Sequence, residues 1–421
     1  GSHRERTGSC RIRNRRRCRL RSAGAVAMGY ILGIDTSNYK TSIAVIDHKK
    51  HIICDLRRFL TVKQGERGLR QSDALFQHIQ NLPELMEEMR RMFDGRIDAV
   101  ACSFRPRPEA GSYMPVFLAG SGFAKTAAAA MNVPVVGFSH QEGHMEAIRA
   151  YSPFQTEDRF LACHFSGGTC EVLDVSETDL RKDGMPKQYF EGSSGADDNG
   201  TSAKKQGADN NGASAKKAKK PHPADPAERV AYTMHITGGT KDISFGQVLD
   251  RTGVALGMEF PAGGQLDLMA QKFCEAEQAE DPGGIFKGAS RDMLQTAKEA
   301  CRLTPVKVKD GWLNLSGLDT QARSRIDRLG LEQKQLQTYA LAADLFAKTG
   351  KAASDMIIQC SEHSGQASVL LAGGVASSQF LRSYMRKELN GRGITAVFGD
   401  EMLSQDNAVG IALLGGKYLW G

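Results

Sequence analysis

The chain lacks any run of about 18 apolar residues, the length an α-helix needs to cross a bilayer, so no membrane span is expected. It also lacks paired cysteines. Nine are scattered singly, at 10, 18, 54, 102, 163, 170, 274, 301 and 360, with no Cys-x-x-Cys pair. An odd, dispersed set excludes a disulfide framework and a thiolate zinc site; it is the pattern of a reduced, cytoplasmic protein. A uniformly basic body is missing too. The formal charge is +7, from 55 Lys and Arg against 48 Asp and Glu. Residues 1–27 hold nine arginines and one acid, so they carry +8 and leave about −1 for everything after them. No apolar stretch follows these arginines, which excludes a secretory signal. They are expected to be a disordered tail or upstream sequence behind a start, Gly1-Ser-His, that resembles a cloning scar. The glycine spacings of the Walker and Rossmann motifs are absent as well.

What is present is an alternation of short apolar runs and helical stretches. Tyr30 to Asp35, Thr41 to Asp47 and His51 to Leu56 read as strands. Ser72 to Met92 has Leu75, Ile79, Leu82 and Leu85 on one side of a helix. Asp98 to Ser103 and Val133 to Phe138 are further strands, with a helix from Val116 to Met131 between them. A second cycle of strand, glycine turn and strand starts at Arg159. The class is therefore α/β, with two related lobes and a cleft between them. The expected first lobe is 28–150, with 405–421 returning to it as the last helix; the second is 151–404. Residues 193–227 interrupt it with Gly, Ser, Ala, Asp, Asn and Lys and almost nothing to bury. Gly195-Ala-Asp-Asp-Asn-Gly nearly repeats as Gly207-Ala-Asp-Asn-Asn-Gly, so this is expected to be a disordered insertion.

Three features point to chemistry. His140 and His144, at i and i+4, share one face of a helix that opens where a strand ends, and can share one metal ion. A zincin peptidase needs Glu directly after the first His, but that residue is Gln141. Glu142 lies roughly 200° around the helix from either histidine, at about 100° per residue, and points away from the metal face. Second, glycine-bearing turns follow strands at Gly33-Ile-Asp35-Thr36-Ser, at Ser166-Gly167-Gly168-Thr169 and at Ala372-Gly373-Gly374-Val. Backbone amides there can approach an anion, as nucleotide phosphates require. Third, Asp406-Asn407 opens the last helix, where Asp is a good N-cap or a possible third metal ligand. Asp250 and Asp267 flank Phe260-Pro-Ala-Gly263-Gly and can line the same cleft. No single catalytic acid or base stands out.

In this order the motifs resemble the TsaD family, the tRNA N6-threonylcarbamoyladenosine synthases once described as O-sialoglycoprotein endopeptidases. The resemblance runs from about Tyr30 to the C-terminus and carries the actin/hexokinase-like (ASKHA) fold with it. Ile34-Asp-Thr-Ser is similar to the opening phosphate loop and Val136-Gly-Phe-Ser-His-Gln-Glu-Gly-His to the metal stretch. Ser166-Gly-Gly-Thr is similar to the second glycine loop. Asp242 to Asp250 with Phe260-Pro-Ala-Gly-Gly resembles the substrate segment, Leu371-Ala-Gly-Gly-Val-Ala the nucleotide segment and Asp406-Asn-Ala the closing Asp-Asn.

The resemblance implies an acyltransferase that moves a threonylcarbamoyl group from threonylcarbamoyl-AMP to N6 of adenosine in tRNA. It implies a divalent ion, iron or zinc, on His140, His144 and Asp406. It implies that ATP or the acyl-adenylate is held by Asp35, Thr36, Ser166, Gly167, Gly168, Thr169, Asp250, Gly263, Asp267, Gly373, Gly374 and Ser378. Helper subunits of a threonylcarbamoylation complex are implied partners. Several positions depart from the family's pattern: Asn38-Tyr-Lys-Thr after the first loop, Arg105-Pro-Arg-Pro in place of Gly-Pro-Gly, Thr169, Gln247 and Ser378. The metal triad stays while substrate contacts change, the mark of a divergent paralogue whose acceptor is open. Two other readings stand beside it: a non-catalytic nucleotide-binding scaffold of a tRNA-modification complex, and a kinase of the same superfold. Lys307 and Lys309, and Arg382, Arg386 and Lys387, are the basic clusters that could meet RNA.

Overall fold

The computed structural model describes residues 29–37, 39–61, 69–109, 111–178, 180, 227–280, 282–330, 334–404 and 407–421. The Arg-rich start, residues 181–226 of the insertion region and Asp406 lie outside the described residues. Thirteen strands are described: β1 Tyr30–Asp35, β2 Lys40–Asp47, β3 Ile52–Phe59, β4 Ala99–Arg105, β5 Val135–Ser139, β6 Arg159–Phe165, β7 Cys170–Glu177, β8 Ala227–Glu228, β9 Tyr232–Thr240, β10 Val308–Lys309, β11 Trp312–Leu313, β12 Ser368–Ala372 and β13 Thr395–Phe398. They form two mixed sheets, ordered β3-β2-β1-β4-β5-β8 and β10-β11-β9-β7-β6-β12-β13. In each sheet an antiparallel hairpin (β1 with β2, β6 with β7) meets a parallel crossover neighbour (β4, β12). The fold is α/β, and each sheet starts with the same hairpin-then-crossover plan. β8 departs from the expected division of the chain: its first residue, Ala227, is the last of the expected insertion, and the strand pairs with β5 of the first sheet.

Alternation along the strands feeds cores on both faces. Leu32 and Ile34 of β1 point into a cluster under the helices Gln71–Met92 and Phe117–Met131, while Ile31 points the other way. On β6, Leu161, Cys163 and Phe165 join the large core of the second lobe, and Phe160 and Ala162 face back toward Ile31's cluster. That shared cluster contains Met145 and Ile148 of the helix His140–Arg149 and Ile411 and Leu414 of the helix Val409–Trp420. The two helices cross closely. A Cβ on Gly410 would stand 1.7 Å from the Gly143 carbonyl oxygen, so a residue with a side chain there must push the histidine-bearing helix away. A buried polar network ties the same elements together: Arg149 pairs with Glu146 and Glu177, Lys417 pairs with Glu177 at 2.5 Å, and the Tyr232 hydroxyl donates to Glu146.

The seven described cysteines are free, and six of them are buried. Among the described residues no helix is long and apolar enough to cross a membrane.

Candidate active-site cleft

β5 ends at Ser139, and the chain turns directly into the helix His140–Arg149. A capping box makes that turn. The Ser139 hydroxyl accepts from the Glu142 amide, and the Ser139 amide donates to the Glu142 carboxylate at 2.7 Å. The other Glu142 oxygen accepts from the Ala231 and Tyr232 amides. Glu142 is thus buried and its carboxylate is occupied by backbone donors on the far side of the helix from the histidines.

His140 is the first helical residue and His144 follows one turn later, their ring centroids 4.3 Å apart. His140 Nδ1 lies 3.0 Å from Asp35 Oδ1, and the Ser37 hydroxyl donates to Asp35 Oδ2 at 2.7 Å. Asp35 is fully buried. Burial alone would raise its pKa, but His140, by charge and hydrogen bond, with Ser103 and Ser37, outweighs it and holds the carboxyl below its ordinary value. The Asp35 carboxylate is placed to accept a hydrogen bond from His140 Nδ1, the contact by which a carboxylate orients an imidazole whose Nε2 serves as a ligand. Thr36 is consumed differently. Its hydroxyl donates to the Val116 carbonyl at 3.0 Å and accepts from the Gly120 amide at 3.1 Å.

The opposite wall is the Ser166–Thr169 turn between β6 and β7. Ser166 Oγ accepts from the Gly168 and Thr169 amides, and the Gly167 carbonyl accepts from the Ser244 hydroxyl at 2.7 Å. Gly167 and Gly168 are exposed, with nothing within 4 Å of the place a Cβ would take. The two walls bound one cleft of about 1410 Å³, lined by His140, His144, Ser166, Gly167, Gly168, Thr169 and Asp250 together.

Gly263, Asp267, Gly373, Gly374 and Ser378 are not among the residues that line this cleft. Asp250 reaches the cleft, but its Oδ1 accepts from the Ala262 and Gly263 amides at 2.9 and 3.0 Å and so fixes the turn after its helix. Gly263 opens the next helix, Gly263–Gln278, rather than lying in a turn. Asp267 accepts from the Gln379 and Phe380 amides, at the start of the helix Gln379–Asn390, and Ser378 Oγ caps the same helix through the Leu381 amide. Gly373 has φ +96°, and a Cβ there would stand 2.3 Å from the Phe165 carbonyl oxygen; Gly374 beside it is exposed. Just before the last helix, Asn407 Oδ1 accepts from the Val409 and Gly410 amides. Among the described residues no group of three or more His, Cys, Asp or Glu side chains is arranged to hold an ion; Asp406 is not among them.

Four cleft residues were missed from sequence. His164, from β6, brings its ring within 5.9 Å of His144 across the cleft. A polar residue inside the apolar run Phe160–Phe165 was the available signal. Arg107, Arg251 and Arg323 also line the cleft. Nothing local marks an arginine in a turn or on a helix as cleft-facing.

The family model for tRNA N6-adenosine threonylcarbamoyltransferase, TsaD, matches residues 62–187 and 227–413. The chain belongs to the TsaD family. A tRNA N6-adenosine threonylcarbamoyltransferase of Fusobacterium nucleatum is 23% identical over 390 residues, covering 91% of this chain and 89% of the relative. One of Geobacter metallireducens is 24% identical, covering 92% of each. Solved structures that resemble it distantly include the activator of 2-hydroxyisocaproyl-CoA dehydratase from Clostridium difficile (12% identity, 92% and 94% coverage, TM-score 0.41). HypF of T. kodakarensis is another, at 15% identity and TM-score 0.47, covering 94% of this chain and 48% of that one.

Two of the stretches singled out in the sequence, at Gln247 and at Arg105-Pro-Arg-Pro, have local structural tasks. Gln247 completes a capping box with Ser244, a task amide and carboxylate perform equally. In Arg105-Pro-Arg-Pro, the Pro106 carbonyl accepts from the Gln141 amide and Arg107 pairs with Glu171 at 2.9 Å, joining the histidine wall to the glycine wall. Arg382 donates to the Ala376 and Gly399 carbonyls, and both Arg382 and Arg386 lie over the Phe398 ring. That basic cluster is largely committed within the protein.

Proposed function

We propose that this chain transfers a threonylcarbamoyl group from threonylcarbamoyl-AMP to N6 of an adenosine in tRNA within the cleft between the His140/His144 wall and the Ser166–Thr169 turn. The observation that carries the reading is the Asp35–His140 contact beside His144. A buried carboxylate that orients one of two adjacent imidazoles is an arrangement suited to a borderline cation such as iron or zinc. His140 and His144 would hold the ion, with Asp406 as the third ligand. Such an ion supplies Lewis-acid polarisation of the acyl carbonyl. The chain's own groups do the rest. The exposed backbone of Gly167 and Gly168 lines the cleft where the AMP phosphate would leave, and donors on that wall would stabilise the departing charge. The bond that breaks is the acyl–phosphate C–O bond, and the bond that forms joins the same carbon to N6, which gives up a proton. Helper subunits and a cytoplasmic setting belong to this reading.

The test is elemental analysis of the purified protein, followed by a threonylcarbamoyl-AMP transfer assay on tRNA. Near-stoichiometric iron or zinc, lost in His140→Ala/His144→Ala and reduced in Asp406→Ala, with transfer lost in parallel, is expected. Metal-free protein after chelator-free purification, or transfer that survives the double substitution, overturns it.

A further inference from the structure

Several described arginines differ in how their N–H donors are used. Arg107, Arg149, Arg159 and Arg382 each donate hydrogen bonds to carboxylates or carbonyls. Arg251 and Arg323 do not. Arg251 lies on the helix Phe245–Ala255 and Arg323 on the helix Ser316–Ile326, and the two share a single carboxylate, Asp319 Oδ2, at 3.6 and 3.4 Å. Among the described residues neither guanidinium is recorded in a hydrogen bond, and both side chains are about half exposed, at 43 and 54%. Asp319 Oδ1 is buried and without a hydrogen-bond partner. Two cations therefore face one anion, at ion-pair distance but outside hydrogen-bond geometry, and both line the active-site cleft. Phe260, 73% exposed, lines the same cleft.

An unspent guanidinium is a planar set of donors matched to two oxygens of a phosphate. Two of them in the same cleft as an exposed aromatic ring supply the elements by which single-stranded nucleic acid is gripped: cations for the backbone and a ring for a splayed base. We propose that Arg251 and Arg323 form a clamp for a backbone phosphate of the acceptor RNA, with Phe260 available to stack a neighbouring base. This rests on the RNA acceptor of the preceding section. The free phosphate of a mononucleotide has the same chemistry, so the two sources are separated by experiment.

Binding of a labelled anticodon stem-loop RNA and of ATP is measured on the full chain at several salt concentrations. Arg251→Gln and Arg323→Gln are each expected to weaken RNA binding about 5–10-fold and to lower the salt slope by about one, with ATP affinity unchanged. Asp319→Asn is expected to act in the opposite direction, tightening RNA binding by about 3-fold or more because the competing charge is gone. A gain cannot come from misfolding, so this variant keeps the test decisive. RNA affinity unchanged in all three variants overturns the clamp. So does a loss confined to ATP, which assigns the site to the mononucleotide. Wild-type protein that binds no RNA overturns the acceptor reading and the clamp together.

Discussion

Two turns in this chain read alike and face opposite fates. Asp35-Thr36-Ser37 and Ser166-Gly167-Gly168-Thr169 each end the first strand of a sheet, and each offers glycine or hydroxyl groups of the kind that bind phosphate. In the first, Asp35 and Thr36 are fully buried and their polar atoms are spent on His140, Ser37, Val116 and Gly120. In the second, the glycines stand in open space at the cleft. The first turn organises a neighbouring side chain; the second exposes its own backbone. Small polar turns of similar position serve as scaffold or as surface according to what packs over them.

The comparison can be broken first at Asp35. Asp35→Ala strips a buried anion from His140 and is expected to cost about 3 kcal/mol of stability and 10–100-fold in metal affinity. Ser166→Ala in the other turn is expected to cost under about 1 kcal/mol and leave metal content intact. Denaturant melts with metal titration read both; equal effects would erase the contrast.

A second route is pH. His78 is completely buried behind the first turn, its Nδ1 2.9 Å from the Thr41 hydroxyl, and burial pushes its pKa down to about 4, against a smaller raising effect from Asp35. The folded state thus keeps His78 neutral while the unfolded chain protonates it near 6.5. Stability is fully present above that value and falls as pH drops toward 4, by on the order of 2–3 kcal/mol. His78→Gln should flatten the slope between pH 6.5 and 5, measured by urea unfolding. A slope unchanged by the substitution would show that other groups carry it.

The glycines give a third comparison. A Cβ on Gly120 would lie 2.7 Å from Thr36 Oγ1, whereas one on Gly167 meets nothing. Gly120→Ala is expected to lose about 1–2 kcal/mol, and Gly167→Ala less than about 0.5 kcal/mol. Thermal melts of the two variants decide it. Gly167→Ala should also weaken adenylate binding, read by titration, because the added methyl would project from the exposed loop that lines the cleft.

The smallest effect concerns the cleft's outer contacts. Arg107→Ala removes a partly exposed ion pair with Glu171 and should change stability by less than about 1 kcal/mol, less still at high salt. A larger loss would make this pair a principal tie between the walls.

Much of the fold was legible in the residues. Apolar runs bounded by turns located the strands, and the i, i+4 histidines were correctly set at a strand-to-helix junction because capping and helical periodicity are local properties. The ordered series of motifs pointed to the family because each motif answers a local steric or hydrogen-bonding need. Tertiary structure alone decided how those groups are used. Asp250 and Asp267, read as ligand-facing, hold backbone amides of other segments, 12 and more than 100 residues away. Ala227–Glu228 joined the first sheet because a vacant edge on β5, not its own sequence, receives it. His164 and the three cleft arginines became neighbours of the site only when two sheets closed around two helices. Sequence determines what a short segment prefers and which groups it carries; which of those groups meet solvent, a ligand or a buried partner is fixed by long-range packing, because a polar atom's task depends on what else is within about 3 Å of it.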